Sequence, residues 1–235
     1  IRKGVYCFDF EKQTIDSINY TGLSDSTEAF NETKRLICDS KGYIWAATQY
    51  TGLVRIHPNT FQFQRIRSNQ FSHHSLASDL VSALYEDRSG ILWAGTYNGG
   101  VDRTSITGSQ FVNIPFASTD SSCFSMKAVE CFAEQDKNLI WVGTMKGLFL
   151  FDKRTHSCRT FEDVTGGTVK LPHQSVAGLE FDNQNRLWIG SRSDVVLRVN
   201  LTDNSYHSYQ PDTSNPLLKK SIDFRSITKR PDGKL

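Results

Sequence analysis

The sequence predicts an all-β chain, a β-propeller assembled from four-stranded antiparallel blades. Three observations carry that expectation. All four tryptophans of the 235 residues occupy one repeated slot, with 48 residues from Trp45 to Trp93, 48 from Trp93 to Trp141 and 47 from Trp141 to Trp188. Self-similarity at such a period marks a solenoid, a propeller or an array. Each repeat offers four short segments rich in β-branched and aromatic residues, bounded by Gly, Asn, Asp and Ser, as strands and tight turns are. No stretch sustains the i, i+3, i+4, i+7 spacing of an amphipathic helix.

In the repeat around Trp93, strand A is read as Leu80–Asp87, strand B as Ile91–Thr96, strand C as Gly100–Ile106 and strand D as Gln110–Ile114. The A–B connection is D-x-x-G at Asp39–Gly42 and Asp87–Gly90. There Asp accepts local backbone hydrogen bonds and Gly takes positive φ. Asn138 and Asn185 fill the Gly position in the other two copies, and Asn is the best substitute in that conformation. A lone four-stranded sheet cannot bury both its faces, but radially stacked sheets cover one another. Trp45, Trp93, Trp141 and Trp188 then have a structural role as fillers between adjacent blades.

The same alignment sets the organisation. Residues 1–20 read as strands C and D of a partial blade, then blades follow at 33–68, 80–114, 128–163 and 175–210. Residues 221–235 read as strands A and B of a further partial blade, ending where the next tryptophan is due. The chain therefore reads as about five blades of a longer, seven-bladed ring.

Composition excludes several classes. Aromatics make up 11% and charged residues only 22%, which argues against disorder. A net charge of +2 without a basic run gives no reason to expect nucleic acid. No apolar stretch approaches the ~18–20 residues of a membrane span, and no signal peptide is visible. Cys7, Cys38, Cys123, Cys131 and Cys158 lie in different repeat slots without C-x-x-C or metal-ligand spacing. They are read as small buried hydrophobes, with an unrecognised disulfide as the alternative. No metal and no cofactor are expected. A nucleophile elbow, a phosphate-binding glycine loop and a placed acid/base pair of carboxylates are all missing.

The repeat D-x-x-G-x-[IL]-W-[IVA]-G-T-x-x-G-[LV] resembles the two-component regulator propeller repeat. It is carried by Asp39/Gly42/Trp45/Thr48/Gly52, Asp87/Gly90/Trp93/Gly95/Thr96/Gly100, Trp141/Gly143/Thr144/Gly147 and Asp182/Trp188/Gly190/Ser191. A lead-in of Leu and Val or Ile recurs at Leu76/Val81, Leu171/Val176 and Leu217/Ile222. Ala47, Gln135 and Val195 depart from the pattern in one copy each. The resemblance implies the periplasmic sensor region of an inner-membrane hybrid two-component system, in which propellers precede a membrane span, a histidine kinase and a response regulator. It further implies detection of polysaccharide-derived oligosaccharides, phosphorelay and transcriptional control of glycan utilisation. Its partners would be an oligosaccharide, the remaining blades, adjacent sensor domains and a second receptor copy in a homodimer. The alternatives are a propeller enzyme, lyase or glycosidase, and a non-catalytic interaction scaffold.

Strand connectivity sorts the loops onto two faces. The long D–A connections, with His73, His74, His173, Lys219 and Lys220, share one face with the short B–C loops. Tyr50, Tyr97, Asn98, Lys146 and Arg192 come from successive B–C loops at nearly one repeat slot and are the candidate ligand-binding arc. An aromatic there stacks on a sugar ring, while Lys146 and Arg192 suit a carboxylate or sulfate. No residue of the segment is assigned a catalytic role. Arg55, Arg103 and Arg198 recur in strand C, and their repetition argues for structural pairing.

Overall fold

The computed structural model describes residues 5–18, 32–72, 74–108, 110–114, 128–193, 195–210 and 226–229. The chain divides into two compact units, Ile1–Asn113 and Ile114–Leu235. The first holds a hairpin of β1 (Val5–Asp9) and β2 (Thr14–Ile18) and two four-stranded antiparallel sheets. One sheet is β3 (Thr33–Cys38), β4 (Ile44–Thr48), β5 (Leu53–Ile56) and β6 (Phe63–Ile66); the other is β7 (Val81–Glu86), β8 (Ile91–Thr96), β9 (Val101–Ser105) and β10 (Val112–Asn113). The second unit repeats the pattern twice. Its sheets are β11 (Val129–Glu134), β12 (Leu139–Thr144), β13 (Gly147–Asp152) and β14 (Cys158–Thr160), then β15 (Val176–Phe181), β16 (Leu187–Ser191), β17 (Val196–Val199) and β18 (Tyr206–Tyr209). All four sheets keep sequence order, so each is a blade of the predicted kind.

The A–B turn shows why the motif repeats. Asp39 accepts the backbone N–H groups of Lys41 and Tyr43 on Oδ1 and the Trp45 indole N–H on Oδ2 at 2.8 Å. Asp87 does the same for Ser89, Ile91 and Trp93, and Asp182 for Gln184, Arg186 and Trp188. One carboxylate thus shapes the turn and satisfies the one polar atom of a large buried ring. In the third copy the two tasks are divided. Gln135 accepts the Trp141 indole N–H at 2.9 Å, while Asp136 takes the turn N–H groups of Asn138 and Leu139.

Tryptophan burial follows blade stacking. Trp45 lies in a cluster with Leu53 of its own sheet and Val81, Leu84 and Leu92 of the next. Trp141 lies with Leu148 and Leu150 of its sheet and Val176, Leu179 and Leu187 of the following one. Trp93 is buried, whereas Trp188 is half-buried and stacks on Tyr209 with centroids 5.1 Å apart. Each strand A also carries a register shift near its start, between Thr33/Arg35, Val81/Ala83, Val129/Cys131 and Val176/Gly178. A bulge at that place bends the strand and re-aims one side chain.

The strand-C arginines take the structural part their repetition predicts. Trp45 faces Arg55, Trp93 faces Arg103 and Trp188 faces Arg198 across the B–C pairing. The Arg55 guanidinium sits 3.8 Å from the centre of the Tyr43 ring and 5.4 Å from that of Trp45, a cation–π arrangement.

Two readings need correction. Cys7 and Cys38 are exposed thiols and Cys131 a half-buried one, rather than buried hydrophobes; Cys158 is disulfide-bonded, as the alternative reading allowed, and Cys123 lies outside the described residues. A helix also forms where the end of the blade over 128–163 and the start of the following loop were expected. α1 (Phe161–Thr165) starts at a capping box, Thr160 accepting from the Asp163 N–H while Asp163 accepts from the Thr160 N–H, and ends at Gly166 in the left-handed conformation. With five residues it is too short for a helical period, so its cap was the legible signal. The expected strands over 221–235 fall mostly outside the described residues; Ile227 passes close to Gly178 of β15.

Candidate functional site

The B–C loops are held in one shape by the last residue of strand B. Thr48 donates from Oγ1 to the Gly52 carbonyl and accepts the Thr51 N–H. Thr96 donates to Gly100 and accepts from Gly99, and Thr144 donates to Gly147 and accepts from Lys146. The next backbone N–H ties each loop to the residue before strand A: Gln49 to Glu32, Tyr97 to Leu80, Met145 to Ala128 and Arg192 to Ser175. A side chain in this loop is therefore presented by a braced backbone.

In the first unit the braced loops present Tyr50, at 46% exposure, and Tyr97, at 48%. Asn98, next to Tyr97, is exposed too. The loop behind Tyr97 is fastened by Asp102, fully buried on β9, which accepts the Ala77 N–H at 2.9 Å and the Asn113 amide at 3.1 Å. Asn113 also donates to the Gly99 carbonyl. Burial pushes the Asp102 carboxyl up, and the two donors draw it partly back.

In the second unit Lys146 is exposed, and Arg192 is exposed but ion-paired with Glu130 at 3.3 Å. Glu130 sits at the strand-A bulge, so the guanidinium is committed to a neighbouring strand. Lys146 instead borders a groove of about 340 Å³. Its walls include Lys170, Glu162 and Gln174 from the D–A connection, over Phe149 and Leu171. Sequence reasoning missed Lys170, whose only signal was its place in a long loop of the chosen face, and Glu162, which was read as part of the blade over 128–163. Of the histidines and lysines expected there, His74 and His173 are exposed, and His73, Lys219 and Lys220 lie outside the described residues. Among the described residues, no group of three or more His, Cys, Asp or Glu is placed to hold a metal ion.

Residues 75–98 match the family described as Two component regulator propeller. The match spans strands A and B of the sheet around Trp93, with the Asp87 turn and the Thr96 brace. Over those residues the chain is similar to a two component regulator propeller repeat. The other three copies of the propeller repeat carry the same turn-to-indole hydrogen bond. Among solved structures the chain is similar to the extracellular domain of a B. thetaiotaomicron protein described as the hybrid two component system BT3049, with TM-score 0.72 and 20% identity over 88% of this chain and 28% of that one. A second such extracellular domain, of BT4673 from the same organism, gives TM-score 0.66 and 19% identity over 90% of this chain and 29% of that one. Virginiamycin B lyase from Staphylococcus aureus gives TM-score 0.65 and 14% identity over 90% of this chain and 64% of that one. At these identities the likeness is one of fold. The chain spans under a third of the length of either two component system domain. No curated protein matches the chain in sequence. Among the described residues no helix is long and apolar enough to cross a membrane.

Proposed function

We propose that the chain is part of the extracytoplasmic sensor region of a hybrid two-component system, and that it detects polysaccharide-derived oligosaccharides through its D–A/B–C loop face. Kinase activity, phosphorelay and control of glycan-utilisation genes then belong to other parts of the parent receptor, and the segment itself is non-catalytic. The observation that carries the reading is the pair of half-exposed tyrosines, Tyr50 and Tyr97, on Thr-braced B–C loops, Tyr97 lying within the residues that match the two component regulator propeller family. A rigidly held aromatic face loses little entropy when a sugar ring stacks on it. The disulfide at Cys158 supports placement outside the cytoplasm, because such bonds persist in oxidising compartments such as the periplasm.

The test is binding of the chain to a panel of oligosaccharides by calorimetry, with Tyr50→Ala and Tyr97→Ala beside it. Loss of affinity with a change in stability of about 0.5 kcal/mol or less, usual for exposed loop positions, supports the proposal. New reducing ends or unsaturated products during incubation would instead make the segment an enzyme. Self-association without any sugar affinity would make it a scaffold.

A further inference from the structure

The blade formed by β11–β14 departs from the other three four-stranded blades in three ways. Opposite its tryptophan, across the B–C pairing, stands Leu150, where Arg55, Arg103 and Arg198 stand elsewhere. Its strand D runs straight into α1, and among the described residues no other helix occurs. That strand begins at Cys158, which is disulfide-bonded. These departures share one physical consequence. Without the arginine, Trp141 and Leu150 accept an apolar lid, and Phe161 of α1 packs edge-on to Trp141 at 6.0 Å between ring centres. The lid holds the following connection against the blade, and Glu162, Lys170 and Gln174 are thereby set across from Lys146.

The groove between them is the one in which Lys146 was found. Neither the Lys146 nor the Lys170 ammonium has an ion-pair or hydrogen-bond partner among the described residues. They come from two different connections of the blade and border one cavity, and ammonium groups suit an anionic ligand through charge-assisted hydrogen bonds. Half-buried Leu171, above the almost fully buried Phe149, forms the apolar base, and the Glu162 carboxylate and Gln174 amide supply an acceptor and a two-sided hydrogen-bonding group. A volume of about 340 Å³ holds one or two pyranose rings, at the lower end of ordinary ligand clefts.

We infer that this groove binds an acidic sugar unit, with Lys146 and Lys170 gripping its carboxylate or sulfate, Glu162 and Gln174 taking ring hydroxyls, and the apolar base under the C–H face. The inference rests on the sensor reading above and specifies the ligand class for the second unit.

The experiment titrates the 235-residue chain with four probes: a glucuronate-containing disaccharide, a sulfated disaccharide, the neutral glucose disaccharide and inorganic sulfate. Lys146→Gln and Lys170→Gln are measured alongside Tyr97→Ala of the first unit. An acidic disaccharide that binds more tightly than the neutral one, weakens with salt and loses about tenfold or more in each lysine variant supports the inference. Equal binding of the neutral disaccharide, untouched by the lysine variants, overturns it while leaving the sensor reading in place. Loss of acidic-sugar binding in Tyr97→Ala but not in the lysine variants moves the site to the first unit and also overturns it. Sulfate binding as tight as that of the sulfated disaccharide overturns the sugar part, and no binding of any probe overturns the whole.

Discussion

A single acceptor six residues before each tryptophan decides how well this repeat holds together. Asp87 and Trp93 are both almost fully buried, and the indole N–H donates to the Asp87 carboxylate at 2.9 Å. Asp87→Ala is expected to cost about 1–3 kcal/mol for the stranded donor alone, more with the turn bonds. A cycle with Trp93→Phe, read by urea unfolding, isolates the pair: coupling near zero would refute the account. Glycine positions separate in the same way. Gly52 and Gly90 both have positive φ, at 78° and 73°, but a Cβ at Gly52 collides with the Ile66 carbonyl oxygen while one at Gly90 meets nothing. Gly90→Ala should therefore lose about 1 kcal/mol, the usual cost of forcing a side chain into that conformation. Gly52→Ala should lose distinctly more. Asp182 gives the pH test. Burial pushes its carboxyl up, but the Trp188 indole, the Arg186 and Gln184 N–H groups and the Arg186 guanidinium outweigh that and hold it at about 2, below the ordinary 3.8. The folded state therefore binds this proton less tightly than the unfolded chain. Its stabilisation is complete above the ordinary value and is lost as pH falls from 3.8 towards 2. Acid unfolding of Asp182→Asn should be flatter over that window, and an unchanged acid limb would exclude the linkage.

At the level of elements, strands and helix obey different signals. The strands were legible because their pattern recurs four times: Ile91–Thr96 was read and found with identical bounds. Strand D was less so: it is the outermost strand of each blade, paired on one side only, and β10 shrinks to Val112–Asn113. The C–D turns hide a further regularity. Gln13, Phe61, His156 and Asn204 each adopt positive φ just before strand D, yet Gln13 and Phe61 are not among the residue types that favour it. There the hairpin closure, not the residue, sets the backbone. α1 is held by its cap and by Phe161 against Trp141. Thr160→Ala should cost about 1 kcal/mol and Trp141→Ala about 3–5 kcal/mol, the range for emptying a large aromatic site. Thermal unfolding of the two variants checks the order.

For the molecule as a whole, the thiols report where it matures. Cys7, Cys38 and Cys131 are free and Cys158 is bonded. Alkylation of the denatured, unreduced chain should therefore modify Cys7, Cys38 and Cys131 but leave Cys158 blocked until reduction. Modification of Cys158 before reduction would remove the support that the disulfide gives to an extracytoplasmic site. The sequence by itself determined the architecture, because a tryptophan every 48 residues with a turn acid six places earlier admits few solutions other than stacked four-stranded sheets. It also determined which loops share a face, since strand order alone fixes that. It did not determine which charges on that face are available. Arg192 and Lys146 look alike in sequence, but a bulge in another strand brings Glu130 to Arg192 and leaves Lys146 beside a groove. Pairing of side chains distant in sequence depends on how strands bend and sheets pack, so only the tertiary structure decided it.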